Sequence, residues 1–423
     1  MNEHPTSTRS LARPRGPGGV LPAALLLGAL ALLAAIYAQL WIGLLSLPAL
    51  DGVDFIVFYT AGRIMRSGSY RLLYDLDVQH AIEVPIIGPN FVPGGTLPYN
   101  HPPLLAPLLA IIAFDQYRSA YIAYSAIQLG VLLLCGVIAA RFLTERGFDK
   151  RSTIVAASSV VLFYPAFISL LKGQDTPFVL LGALVWMWAL LARRERLAGV
   201  ALALVLLKPQ IALALALPLL VSRNRAAWWF CGASALLGLY SWLLVGSGGL
   251  LDLLGLLRLS SDGQGYGMNQ TAMYNLLGLL IRGAPALDAA TLSVLKWTAY
   301  ALAVGFLCWL WWGKRDTLTV QHIGIAVTLS LFTSPHLHLH DLSLLFLPAL
   351  GGMALLWGRG RRGRLAALAL LPASSLLLFA SDLVNGPLHF IAGYALMLAL
   401  LLGLSSSLRF ARVAPSQIPG HAS

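Results

Sequence analysis

The stretch 20-VLPAALLLGALALLAAIYAQLWIGLLSLPALDGVDFIVFYTAGR-63 decides the fold. From Val20 to Leu47 no charged residue interrupts the apolar run. At a rise of about 1.5 Å per residue, about 20 such residues cross the hydrocarbon core of a bilayer. Arg9, Arg13 and Arg15 precede the run, as in a secretory signal, but the run exceeds the roughly 7–15 residues of a signal core. It is therefore expected to remain as the first membrane span. Directly beyond it stand Asp51 and Asp54, followed by Phe55, Phe58, Tyr59 and Arg63. Carboxylates at the mouth of a membrane bundle, beside aromatic and cationic neighbours, suit the general base of a reaction run at the membrane surface.

The rest of the chain repeats the apolar pattern. With 58% hydrophobic residues, 11% charged residues and a mean hydropathy of +0.76, it cannot present a wet surface around a soluble core. Further runs of near-spanning length cover 119–142, 152–171, 175–192, 226–246, 289–312, 317–335, 341–358, 364–381 and 387–408. Two segments need more than counting. Between the basic clusters Arg193-Arg194-Glu195-Arg196 and Arg223-Asn224-Arg225, the segment 197–222 is interrupted by Lys208-Pro209-Gln210. If both clusters lie on one side, this segment goes in and returns as two short helices with Lys208 at the tip. The other is His101-Pro102-Pro103 followed by Leu104 to Phe114, too short to span and read as an interfacial or re-entrant helix.

The expected fold is thus an all-α polytopic bundle of about 12 transmembrane helices with both termini cytoplasmic. A tail (1–19), a membrane domain (20–410) and a second tail (411–423) divide the chain. Most basic residues, among them Arg141, Lys150, Arg151, Arg193, Arg223, Lys314, Arg359 and Arg364, then fall inside. Most acids, including Asp75, Asp77, Glu83, Asp175, Asp252, Asp262, Asp341 and Asp382, fall outside. Two long loops, about 48–118 and 247–288, lie on the outer face, where elaborate connections most often carry function. In the first, Phe55 to Met65 has helical spacing, and Pro/Gly-rich 85–98 reads as irregular. In the second, Leu250–Leu259 and Met273–Ile281 are short amphipathic candidates.

The formal net charge of +12 does not indicate nucleic-acid binding, because the basic residues sit in short clusters between apolar runs, as membrane anchors do. Cys135, Cys231 and Cys308 lie inside apolar runs without metal-ligand spacing and read as small buried hydrophobes. Trp228, Trp229, Trp309, Trp311 and Trp312, at the inner ends of spans, read as an interface belt.

Several fragments in order carry a resemblance. Asp54-Phe55-Ile56-Val57-Phe58-Tyr59-Thr60-Ala61-Gly62-Arg63, then Tyr99-Asn100-His101-Pro102-Pro103, Lys172-Gly173-Gln174, Lys208-Pro209-Gln210 and Ser334-Pro335-His336 through His340-Asp341-Leu342 resemble glycosyltransferase family 87. The resemblance implies a GT-C-type membrane enzyme that transfers mannose from a polyprenyl-phosphate donor to a lipid or glycan acceptor. It also implies a bacterial cytoplasmic membrane with the active site on the periplasmic or extracellular side. No cofactor and no metal-ligating residue is assigned from the sequence. Asp54 matches the family's catalytic aspartate.

Such a transfer needs a base for the acceptor hydroxyl, donors for the departing phosphate and a polar cleft for the sugars. Asp54 is the candidate base, with helix N-capping before Phe55 the alternative role. Asp51 is the competing acid. Lys208, costly inside an apolar hairpin unless it faces a polar cavity, is the candidate phosphate ligand, the alternative being a snorkelling turn residue. His336, His338 and His340, spaced by two along an extended segment before Asp341, place three imidazoles together. Hydrogen bonding to sugar and phosphate, with His340 on the phosphate, is expected of them in preference to metal binding. Arg63 either meets phosphate or pairs with a loop acid. Tyr59, His101 and Gln174 are assigned to the substrate cleft, His101 alternatively anchoring the re-entrant turn. Lys172 and Asp175 share the Gln174 turn, and Asn269 and Gln270 either meet sugar hydroxyls or cap. A lipid-linked glycan transporter and a glycan polymerase or ligase are the rival classes.

Overall fold

A computed structural model describes residues 20–46, 50, 53–88, 96–262, 269–384, 386 and 388–413. The helices are α1 (Val20–Ser46), α2 (Phe55–Arg66), α3 (Leu76–Ile87), α4 (Ala106–Ile112), α5 (Tyr117–Thr144), α6 (Lys150–Leu162), α7 (Tyr164–Lys172), α8 (Thr176–Leu191), α9 (Glu195–Leu204), α10 (Pro209–Val221), α11 (Ala226–Ser261), α12 (Leu276–Gly283), α13 (Ala289–Trp311), α14 (Val320–Thr333), α15 (Phe346–Trp357), α16 (Gly360–Asp382) and α17 (Leu388–Val413). Among the described residues all regular structure is helical, so the backbone satisfies its own polar groups, as a bilayer requires.

Among the described residues, seven helices are long and apolar enough to cross a membrane: α1, α5, α11, α13, α15 with its leading 3-10 turn, α16 and α17. The α6–α7 pair, bent by 41°, makes up to an eighth, and α8, α10 and α14 are shorter apolar helices. The chain is a polytopic membrane bundle. The α6–α7 bend has a local cause. Pro165 sits in the first turn of α7 and cannot continue a helix from α6. The backbone groups freed there are met by Ser375 of α16, which accepts from the Tyr164 N–H at 2.9 Å and donates to the Leu162 carbonyl at 2.6 Å.

The segment between the basic clusters folds as two short helices, α9 and α10. A 3-10 turn (Val205–Leu207) ends the first, and Pro209 opens the second immediately after Lys208. The two ends of the bundle differ in chemistry. At one end Arg141 and Arg194 lie over Trp188, Arg364 lies over Trp357, and Arg193 pairs with Asp316. At the other end α2 and the start of α5 bring Phe55, Tyr59, Tyr117 and Tyr124 into one aromatic cluster.

Several readings change. Helix α11 continues through a kink at Gly246 (φ 73°, ψ 178°) to Ser261, so the second loop begins about where Asp262 stands and not at 247. Helix α3 runs through Pro85 to Ile87, where irregular chain was expected, and α17 passes residue 410 to reach Val413. Residues 1–19 and 414–423 of the two tails, and Asp51, lie outside the described residues. Trp311 is not in the belt; it is fully buried and stacks on Trp186 with ring centroids 6.4 Å apart, whereas Trp228, Trp229, Trp309 and Trp312 are exposed. Cys135 is buried as expected, but Cys231 is exposed.

Candidate active site

A cavity of about 890 Å³ opens at the end of the bundle remote from the arginine clusters. Asp54, His101, Lys172, Gln174, Lys208, His336, His338 and His340 line it, joined by Asp382 and His389. Segments as distant in sequence as residues 54 and 340 thus share one polar space.

Asp54 holds the N-cap position of α2, yet its side chain caps nothing. Its Oδ2 instead accepts a hydrogen bond from Gln174 Nε2 at 2.8 Å. Gly173 makes this approach possible: it adopts φ +70°, and a Cβ there would lie 2.6 Å from the Cβ of Phe55. No L-residue with a side chain fits both demands. The backbone carbonyl of Gln174 accepts in turn from the Gln128 side chain of α5, which fixes the turn.

Beside Asp54 lies a buried charge cluster. Lys208 Nζ is 3.6 Å from Asp175 Oδ1 and 3.4 Å from Asp341 Oδ1. Asp175 is fully buried, and its other oxygen meets His101 Nδ1 at 2.9 Å. Asp341 accepts the backbone N–H of His338 at 3.0 Å and the Thr176 hydroxyl at 3.3 Å, and His340 Nε2 stands 3.5 Å away. Two carboxylates therefore share one ammonium, and α8, the α9–α10 turn and the histidine segment are tied at one point. Buried charges persist only when paired and hydrogen-bonded in this way.

The three histidines follow Pro335, but the extended segment expected of them ends at His338, and His340 lies in a 3-10 helix (Leu339–Leu345). Ring centroids of His336 and His338 are 4.7 Å apart, and those of His338 and His340 are 5.9 Å apart. Burial pushes His336 well below the ordinary imidazole range, with His338 and Lys208 acting in the same direction. Burial likewise holds His338 below its usual value. Both rings are neutral near pH 7 and serve as hydrogen-bonding groups. Among the described residues no three His, Cys, Asp or Glu side chains form a metal-holding group.

With this geometry in view, the comparisons with known proteins decide the family. The model of glycosyltransferase family 87 matches residues 99–335, more than half of the chain. The chain belongs to glycosyltransferase family 87. No curated protein and no solved structure matches it. The family 87 match makes the protein a membrane glycosyltransferase, which uses a sugar donor and an acceptor. The matched stretch contains His101, Gln174 and Lys208 but neither Asp54 nor the histidines, so the placement of those residues rests on geometry.

The structure separates the remaining expected residues of this family 87 enzyme. Arg63 does not line the cavity; its guanidinium pairs with exposed Asp115 at 2.5 Å, the loop-acid alternative. Tyr59 is buried in the aromatic cluster and donates to the Phe114 carbonyl at 2.7 Å, also off the cavity wall. Asp341 stands behind the wall, holding Lys208. Asn269 reaches the cavity, while Gln270 contacts the Ser261 carbonyl at 3.5 Å. Sequence reasoning gave Asp175 no role beyond the Gln174 turn, and passed over His389 and the cavity role of Asp382. An acid alone in a short turn gives no local sign that its partners come from residues 101, 208 and 341.

Proposed function

We propose that this family 87 enzyme transfers a hexose, mannose by resemblance, from a polyprenyl-phosphate donor to a hydroxyl of a lipid or glycan acceptor on the outer face of the membrane. Asp54 takes the proton of the acceptor hydroxyl as its oxygen bonds to the anomeric carbon. The bond from that carbon to the phosphate oxygen breaks, and polyprenyl phosphate departs with the electron pair. Attack opposite the leaving group inverts the anomeric centre. Gln174, donating to one carboxylate oxygen, holds Asp54 so that the other oxygen is available as base. Lys208 and His340 are assigned to the departing phosphate. Since two carboxylates already balance Lys208, it offers its remaining N–H donor, not an uncompensated charge.

The observation that carries this reading is a carboxylate that occupies a helix N-cap yet caps nothing and lies on the wall of a polar cavity. The outer-face assignment is supported by the clustering of arginines at the opposite end of the bundle. The test is transfer by the purified protein in lipid from radiolabelled polyprenyl-phosphate mannose, and from its glucose counterpart, to a membrane-lipid extract. Label from the mannose donor alone appearing in a new product supports the reading. Transfer from a nucleotide sugar, and not from the lipid donor, would overturn it.

A further inference from the structure

The transfer chemistry leaves one polar cluster of the cavity without a role. Asp382, the last residue of α16, and His389, near the start of α17, both line the cavity, with side chains 29% and 26% exposed. His389 Nε2 is 3.3 Å from Asp382 Oδ1, and the Tyr164 hydroxyl donates to Asp382 Oδ2. Tyr274, also on the wall, sets its ring 5.9 Å from the His389 ring. Tyr274 is seated firmly: its N–H donates to the Leu337 carbonyl at 3.0 Å, and its ring lies where a Cβ on Gly393 would stand.

An acid at the C-terminal end of a helix is opposed by the helix dipole, so helix stability does not account for Asp382. A carboxylate has about four lone-pair directions, and Tyr164 and His389 engage one on each oxygen. The others are left for a ligand. The negative charge disfavours a phosphate here, whereas Lys172 and the remaining N–H donor of Lys208 line the same cavity. A neutral group with adjacent hydroxyls satisfies the free acceptor sites, and the buried Tyr274 ring packs against His389.

We propose that Asp382 and His389, with Tyr274 beside them, form the subsite that binds a neutral polyhydroxylated head group of the acceptor. The assignment rests on the lipid-donor transferase reading for its place in the reaction but not for the binding itself. Asp382 accepts from two neighbouring hydroxyls, Tyr164 holds the carboxylate in register, and the head group presents its reacting hydroxyl towards Asp54.

The test uses full-length protein in lipid nanodiscs and methyl α-D-mannopyranoside as the polyol probe, followed by saturation-transfer NMR. Binding of radiolabelled polyprenyl-phosphate mannose and the thermal midpoint are measured on the same samples. Asp382→Asn and His389→Gln are expected to weaken glycoside binding about tenfold or more, the loss of a hydrogen bond to a charged group. Donor binding is expected to stay within about twofold. Equal glycoside binding by wild type and variants overturns the proposal, as does a lowered thermal midpoint with unchanged affinity, which assigns the pair to joining α16 and α17. Failure of the wild type to bind the glycoside while it binds the donor overturns the subsite and leaves the donor reading standing. Absence of donor binding refutes the donor reading, and the glycoside result still decides the subsite.

Discussion

Replacing Lys208 with methionine tests whether this residue holds the site together. The ammonium lies 3.6 Å from Asp175 and 3.4 Å from Asp341, both essentially without solvent contact. With an effective dielectric of about 20, each contact corresponds to roughly 5 kcal/mol of gross attraction, much of it cancelled by desolvation. Removing the lysine leaves two buried carboxylates without their shared ammonium, and breaking such a pair costs about 3–5 kcal/mol. Lys208→Met is expected to destabilise the protein by that amount, measured by unfolding in mixed detergent micelles. The loss is expected to be smaller at pH 5 than at pH 8, because unpaired buried carboxylates take up protons as pH falls. Adding Asp341→Asn is expected to recover part of the loss, so that the double variant falls short of the sum of the singles. A Lys208→Met protein as stable as wild type, with additive losses in the double variant, would refute the charge accounting and leave Lys208 as a phosphate ligand only.

Further outcomes follow from other residues. Glu83 is fully buried, with Oε2 accepting from the Leu97 N–H at 3.0 Å and Oε1 without a partner among the described residues. Burial raises its carboxyl to about 7 from the ordinary 4.5, only partly offset by the Leu97 hydrogen bond. The folded protein therefore binds this proton more tightly than the unfolded chain. Its stabilising effect is complete below pH 4.5 and is lost as pH rises through about 7, a span worth roughly 3 kcal/mol. Thermal midpoints of wild type should decline across that window, and those of Glu83→Gln should decline less; parallel curves would contradict this. Gly173→Ala forces a side chain into φ +70° and to within 2.6 Å of Phe55, so transfer should fall about a hundredfold as Gln174 moves away from Asp54. Unchanged turnover in that variant would show that the turn has slack. Trp186→Ala, emptying the buried stack with Trp311, should cost about 3–5 kcal/mol in the same unfolding assay, and a loss below about 1 kcal/mol would count against the packing described.

What the sequence made legible follows length and charge. Long apolar runs such as 119–142 and 289–312 became α5 and α13 because a bilayer fixes how many residues a helix needs. Lys208 fell at the tip of a helical pair because a proline cannot continue a helix and because basic clusters bracket the segment. The extent of α11 was not legible: the apolar run ended at 246 and Leu250–Leu259 read as a separate short helix within a loop, whereas one helix resumes after one non-helical residue. Asp54, Gln174, Lys208 and the histidines were picked out singly, but nothing local specified their contacts. Arg63 shows the converse. Close to the candidate base in sequence, it lies in the last turn of α2 and meets Asp115. Asp175, Asp382 and His389 were hidden for the same reason, since each acquires its meaning from partners more than a few residues away in the chain.

The central claim is that Asp54 takes the acceptor proton. Transfer of label from polyprenyl-phosphate mannose by wild type and by Asp54→Asn, with donor binding measured in parallel, tests it most directly. Asparagine keeps the shape and can still meet the Gln174 side chain, but it cannot accept a proton at useful pH. The account predicts a fall in transfer of about a thousandfold with donor binding within about threefold of wild type. Transfer within about tenfold of wild type would contradict it and assign the proton to another group on the cavity wall.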